Sequence, residues 1–292
     1  MRRKLFASAS LAVFSAVAAV AYAWAAPAET PIPQMGGREL GWIVNFWDFQ
    51  LDPPPGSGHG PMKTDPAYNY VSQIQNGGQV RGKPGEIQVP IVNTKDPILK
   101  PWAAQQMQAS NEEIISGTRK IPFRAQSLCW PGGVPGQLLF LEPLYFLQTP
   151  TKVVMLWQRN MFTRHIRLNG THPAKVTPSW FGDSIGHYEN GDTLVVDTIG
   201  LSTKNSYIDS FRTPHSEKLH VVERFTIAPD KQSMTAIITV EDPDTLNGPL
   251  TLKQVWRRNN AAIQENVCAE DEGVDHFHLN LHPIPMAAKP DF

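Results

Sequence analysis

From residue 137 onward, apolar and polar residues alternate in short runs, the period of half-buried strands rather than of helices. Leu138 to Leu141, Leu144 to Gln148, Lys152 to Gln158 and Phe162 to Leu168 are such runs, bounded by Pro, Gly or the turn pair Asn169-Gly170. His187 to Asp197 reads as a hairpin, because Asn190-Gly191 accepts the positive φ angles of a type I′ turn. Leu219 to Ile227, Met234 to Val240 and Leu250 to Arg257 complete a set of eight to ten antiparallel strands, with Pro229-Asp230 as a turn between the first two. Upstream, 12 of the 26 prolines lie between Pro27 and Pro101, which leaves that third without a period and mostly irregular. One helix fits there, from Asp96 to about Ser116. Trp42, Ile43, Phe46, Trp47 and Phe49 are too apolar for a free linker, so this segment is expected to lie extended on the main body.

The pattern predicts a mostly β chain whose meander closes into a calycin- or lipocalin-like barrel, which removes exposed strand edges. An open β-sandwich is the alternative. The boundaries that follow are a leader over residues 1–26, an irregular Pro-rich segment with one helix over 27–125, and an antiparallel β domain over 126–292.

The leader is read from Arg2-Arg3-Lys4, an apolar stretch from Leu5 to Val20, and small residues at Ala21, Ala23, Ala25 and Ala26. It implies export to the periplasm or beyond, the alternative being a retained N-terminal anchor. Without Arg2, Arg3 and Lys4 the chain has 23 basic against 27 acidic residues, a charge of about −4. Such a surface lacks the basic footprint of a nucleic-acid partner. No run of 18 apolar residues follows the leader, so no membrane partner is expected after cleavage. In an oxidising compartment the two cysteines, Cys129 and Cys268, are expected to form a disulfide; two buried thiols are the alternative.

The run Ser179-Trp180-Phe181-Gly182-Asp183-Ser184-Ile185-Gly186-His187-Tyr188-Glu189-Asn190-Gly191-Asp192-Thr193-Leu194-Val195-Val196-Asp197-Thr198 resembles a motif of exported bacterial proteins, G-x-S-x-G-x-W-E-G-D-T-L-V-V-D-T. The resemblance extends to Arg164 through Pro173, Ser216 through Phe225, Glu241-Asp242-Pro243 and both cysteine segments, about residues 96 to 272. Tyr188, Asn190 and Ala269 depart from that family's usual Trp, Gly and His. Membership implies an exported β-rich fold and carries no assigned reaction.

Polar residues within apolar strand faces mark candidate chemistry. Leu219, Val221, Glu223, Phe225 and Ile227 share one face, so Glu223 is expected inside the barrel, as a general base or in a salt bridge. Arg164, between Phe162 and Ile166, is its natural partner or an anion stabiliser. His187 and His220 are candidate proton carriers, and Tyr188, Asp197, His172 and Arg224 candidate ligand contacts. Gly182-Asp183-Ser184-Ile185-Gly186 spells a nucleophile elbow, but lacks the following helix that motif requires. Near the C-terminus, His276, His278 and His282 fall on one face if the tail is a strand, with neighbours about 7 Å apart and able to share a divalent metal. A polar strand or coil is the alternative, and no cofactor is otherwise expected.

The expectation is an exported barrel binding a small, largely apolar organic molecule. As an enzyme it would be a cofactor-free lyase, isomerase or hydrolase. The alternatives are a carrier of a lipophilic ligand and an envelope interaction protein.

Overall fold

The computed structural model describes residues 31–37, 40–44, 48–50, 54–56, 58–68, 74–75, 78–79, 89–117, 129–204, 206–266, 274–275 and 280–281. Nine strands close a barrel: β1 (Gly41–Val44), β2 (Leu144–Gln148), β3 (Lys152–Trp157), β4 (Thr163–Leu168), β5 (Asp183–Glu189), β6 (Thr193–Ile199), β7 (His220–Ile227), β8 (Ser233–Glu241) and β9 (Leu250–Asn259). Each pairs with its neighbours in the chain, and β1 seals the ring between β9 and β2. A ring with an odd number of strands cannot alternate direction all the way round. Here β4 and β5 run parallel, with Ile166 opposite Ser184 and Leu168 opposite Gly186, and the other pairs are antiparallel. A parallel pair needs a return connection. Residues 169–182 supply it along the outside of the wall.

The alternation read from the sequence holds where strands form. Val221, Glu223, Phe225 and Ile227 point inward and are buried, as are Arg164 and Ile166 on β4. Large side chains fill the interior: Trp42, Trp157, Trp256, Phe146 and Phe225 are each at most 1% exposed. Phe225 lies 6.0 Å from both Phe146 and Trp256, ring centre to ring centre. A small barrel is filled in this way by its own side chains.

Three expectations change. Leu138 to Leu141 is not a strand: Gly136–Leu139 is a turn of 3-10 helix, because a short apolar run between Pro and Gly has no period to decide its backbone. The helix, α1, spans Pro101–Ile115 and starts later than Asp96, since Pro101 occupies its first turn. Gly41–Val44 lies in the Pro-rich third yet forms the closing strand, a role its apolar content could not distinguish from simple packing. Among the described residues no helix is long and apolar enough to cross a membrane.

Residues 31–37 strap the barrel end beside the β5–β6 turn. The Gln148 side chain holds them: its Oε1 accepts from the amides of Met35 and Gly36 at 2.9 and 3.1 Å. Its Nε2 donates to the Pro33 carbonyl and the Tyr188 hydroxyl, both at 2.9 Å. The hairpin turn has the left-handed φ angles expected of its sequence, 54° at Asn190 and 77° at Gly191.

At Gly36 a Cβ would stand 1.7 Å from the Phe146 carbonyl oxygen. Gly36→Ala is expected to pull the strap off β2 and cost about 1–3 kcal/mol, the usual range for overpacking, read by urea unfolding. Unchanged stability would show that the strap does not bear on the barrel.

Candidate functional site

Inside the barrel, β4 and β7 bring Arg164 and Glu223 together, as their inward positions predicted. Arg164 Nη1 and Nη2 donate to Glu223 Oε1 and Oε2 at 2.9 and 2.5 Å, so both carboxylate oxygens are occupied. Nη2 also donates to Thr198 Oγ1 at 2.7 Å, and Nε to Ser184 Oγ at 3.1 Å. Arg164 and Glu223 are 1% and 0% exposed. A buried pair of this kind is tolerated only when hydrogen bonds complete it, and here β5 and β6 supply the two hydroxyls. Ser184, the would-be elbow serine, is thus an inward strand residue bonded to Arg164 and within 3.0 Å of Thr198 Oγ1.

The histidines lie elsewhere. On the outer face, register places His220 directly opposite Glu241 and diagonally across from Asp197, which is paired with Val222. Asp183 begins β5 two positions before Ile185, the partner of Asp197. The crossover then lays His172 over this corner. A chain of alternating acids and bases results. Arg167 Nη2 donates to both oxygens of Asp183 at 2.8 and 2.7 Å. His172 bridges Asp183 (Nδ1, 2.7 Å) and Asp197 (Nε2, 3.0 Å). His220 bridges Asp197 (Nε2, 3.0 Å) and Glu241 (Nδ1, 3.2 Å).

One carboxylate oxygen, Asp197 Oδ1, faces both Nε2 atoms. Carboxylates only accept, so each ring can donate from both nitrogens only as imidazolium. With both rings protonated, Arg167 and two imidazoliums balance three carboxylates. Loss of one ring proton removes one hydrogen bond and leaves a net negative charge. The Asp197 and His220 side chains are 39% and 34% exposed, within reach of a molecule arriving from solvent.

The remaining candidates separate. His187 is exposed and pairs with Glu189 at 2.9 Å, and Arg224 bonds the same carboxylate. Together Arg224 first, then His187, hold the Glu189 carboxyl below its ordinary pKa. This cluster sits one row along the sheet from Asp197, since His187 faces Val195 and Val195 faces Arg224. Tyr188 points inward to Gln148, and burial pushes its phenol up. Cys129 stands with φ 57° at the other end of the barrel from the strap, and no described cysteine is free. Its expected partner Cys268, and the tail residues His276, His278 and His282, lie outside the described residues. Among the described residues no group of three His, Cys, Asp or Glu side chains is arranged to hold a metal ion.

Asp183 and Glu241 complete the outer chain and were not singled out in the sequence. Their signal was available only through register, which sets charged positions of β5 and β8 beside histidines of the crossover and β7. A second overlooked group lies in the β6–β7 connection. Asp209 there accepts from the Thr213 amide and hydroxyl at 3.1 and 2.8 Å. Burial above all, with Asp48 adding to it, raises its pKa to about 6. Compared with models of known protein families and with curated proteins, the chain matches none.

Two outcomes follow from these placements. Glu223→Gln strands a buried guanidinium and is expected to cost about 3–5 kcal/mol in urea unfolding, whereas Arg164→Met/Glu223→Leu together recover most of that loss. A mild Glu223→Gln phenotype would show that the pair is not a strut. For Asp209, the folded pKa near 6 exceeds its ordinary 3.8, so its stabilising protonation is complete below 3.8 and lost as pH rises toward 6. Asp209→Asn removes this dependence; between pH 4 and 7 the wild type should lose about 2 kcal/mol relative to the variant. His215, whose pKa burial lowers, acts in the opposite sense and is common to both proteins. Parallel stability curves would place Asp209 in water.

Proposed function

We propose that the protein is an exported β-barrel that binds a small organic molecule and moves protons on it at the outer-face chain of His172, Asp197 and His220. The observation that carries this reading is the single Asp197 oxygen facing two imidazole nitrogens at 3.0 Å each, on side chains open to solvent. His220 is the proton carrier, since its ring is the more accessible of the two. Asp197 orients it and balances its charge, as a carboxylate does for a catalytic imidazole. His172, tied to Asp183 and Arg167, fixes Asp197 in turn. This is the machinery of a cofactor-free acid–base lyase, isomerase or hydrolase.

Glu223 and Arg164 are then the internal support of the sheet that presents the site, because each satisfies the other. A carrier holding a lipophilic ligand within the barrel has less support, since aromatic side chains fill the interior. Export rests on the Arg2-Arg3-Lys4 leader with its apolar stretch and small residues. It agrees with a Cys129–Cys268 disulfide, Cys268 being the only other cysteine in the chain. The motif over residues 179–198 supports membership of the exported bacterial family it resembles.

The test is turnover on a panel of small esters, lactones, hydroxy acids and keto acids, scored for hydrolysis, dehydration and isomerisation. His220→Asn and Asp197→Asn should each lower the rate on the substrate found by about 10²–10⁴-fold, the range for losing a general acid or base. Melting temperatures should stay close to wild type, both residues being solvent-facing. Full turnover in both variants overturns the assignment.

A further inference from the structure

The barrel has two unlike ends. At the strap end lie the turns 149–151, 190–192 and 228–232; at the other lie residues 129–143, 158–162, 200–219 and 242–249. Among the described residues, the buried side-chain atoms Gln137 Nε2, Asn160 Nδ2, Ser206 Oγ and His215 Nε2 have no hydrogen-bond partner, and all belong to this second end. So do Cys129, Asn160, Met161 and Arg212, four of the seven left-handed non-glycine residues among the described ones; Asn169, Asn190 and Lys231 lie elsewhere. Buried polar groups are nearly always bonded, and a cluster of exceptions needs an explanation. Backbone strain gathers where a fold is held for a ligand.

Three of these groups come from two segments packed on each other. Gln137 Oε1 accepts from the Gly132 amide at 2.7 Å, which fixes the side chain and leaves Nε2 as the idle donor. Ser206 Oγ lies 2.0 Å from where a Cβ on Gly133 would stand, so the hydroxyl rests on the same glycine pair. The Ile208 amide donates to the Thr213 carbonyl at 3.0 Å and pinches the connection into a neck. Ser206 and His215 lie two residues outside this pinch on its two limbs. His215 Nδ1 must donate to the Ser216 carbonyl, 2.9 Å away, because that oxygen has no proton to give. Its Nε2 is therefore a bare acceptor in the neutral ring, the state burial favours.

We propose that this end of the barrel is a binding site for a small uncharged molecule bearing hydroxyl groups, a polyol or sugar, held by Gln137, Ser206 and His215. The groups left over are one amide donor, one hydroxyl and one imidazole acceptor. A ligand hydroxyl answers all three, accepting from Gln137 and donating to His215. Nearby charges are already engaged: the Asp209 carboxyl takes both donors of Thr213, and Arg164 takes Glu223. Arg212, buried at the same end, has an interaction of its own, so the described charges named here leave none to call for an ionic ligand. Trp130 and Trp180 are half-buried with ring centres 5.7 Å apart, and the Trp180 carbonyl lies 3.7 Å from where a Cβ on Gly133 would stand; aromatic rings of this kind can pack on the C–H face of a sugar. The site is separate from the outer-face histidines and stands or falls independently of them.

Glycerol, glucose and inositol are titrated into the full chain by saturation-transfer NMR and calorimetry, with acetate as the charged control. At least one of the three should bind saturably and acetate should not. Gln137→Glu keeps the bond to Gly132 but replaces the donor by an acceptor, and should weaken binding about tenfold, the worth of one good hydrogen bond. Ser206→Ala deletes a hydroxyl that has no partner in the free protein, so it should fold normally and weaken binding about fivefold. Asp197→Asn should leave binding unchanged. If Gln137→Glu does not fold, Ser206→Ala alone decides. No saturable binding by any probe, ordered water alone on the three groups in a high-resolution structure, or affinity indifferent to both substitutions would overturn the proposal.

Discussion

Parity governs this barrel. Nine strands that each pair with their chain neighbours cannot close with every pair antiparallel, and the mismatch is absorbed between β4 and β5. The return connection this requires cannot pass through a filled interior, so it travels outside over residues 169–182. It carries His172 across the wall and sets the ring against Asp183 and Asp197. An even-stranded meander would have a tight turn there and no crossover to bring a histidine. The polar corner on the outer face is thus a product of how the ring closes.

The same wall separates two kinds of charge. Arg164 and Glu223 face inward, where desolvation requires that every donor and acceptor be met, and the hydroxyls of Ser184 and Thr198 meet what the ion pair leaves. Asp197 and His220 face outward, where water can replace a lost partner. One residue step along a strand changes Thr198 into Asp197, and with it a buried, hydrogen-bonded network into a solvent-facing one. Strand alternation is the physical basis of that division.

Much of this was legible as a pattern of period two. Leu219 to Ile227 announced an inward Glu223, Arg164 between Phe162 and Ile166 announced its partner, and Asn190-Gly191 announced the turn. These depend on residues close in sequence. The outer corner was only half legible: His172, Asp197 and His220 stood out by type, but Asp183 and Glu241 join them through register across four strands, which no local pattern states. The apolar run at Leu138 misled because its length suits a strand while its flanking Pro and Gly permit a 3-10 turn. Gly41–Val44 was obscured by its proline-rich surroundings, since four residues are too few to display an alternation. The unbonded atoms of Gln137, Ser206 and His215 carry no sequence signal at all, because satisfaction is a property of neighbours.

The closing strand also has a meaning in time. β1 is the earliest of the barrel's strands among the described residues, yet its longest pairing is with β9, Gly41 against Asn259 at one end and Val44 against Trp256 at the other. The ring therefore cannot shut until residues near 259 have been made and delivered. Contacts this distant in sequence are slow to form, because a large loop must be ordered before they return any stability. A barrel closed by β1 and β9 therefore stays open while the chain is being made, with β1 holding at most its two-residue pairing to β2 until β9 arrives.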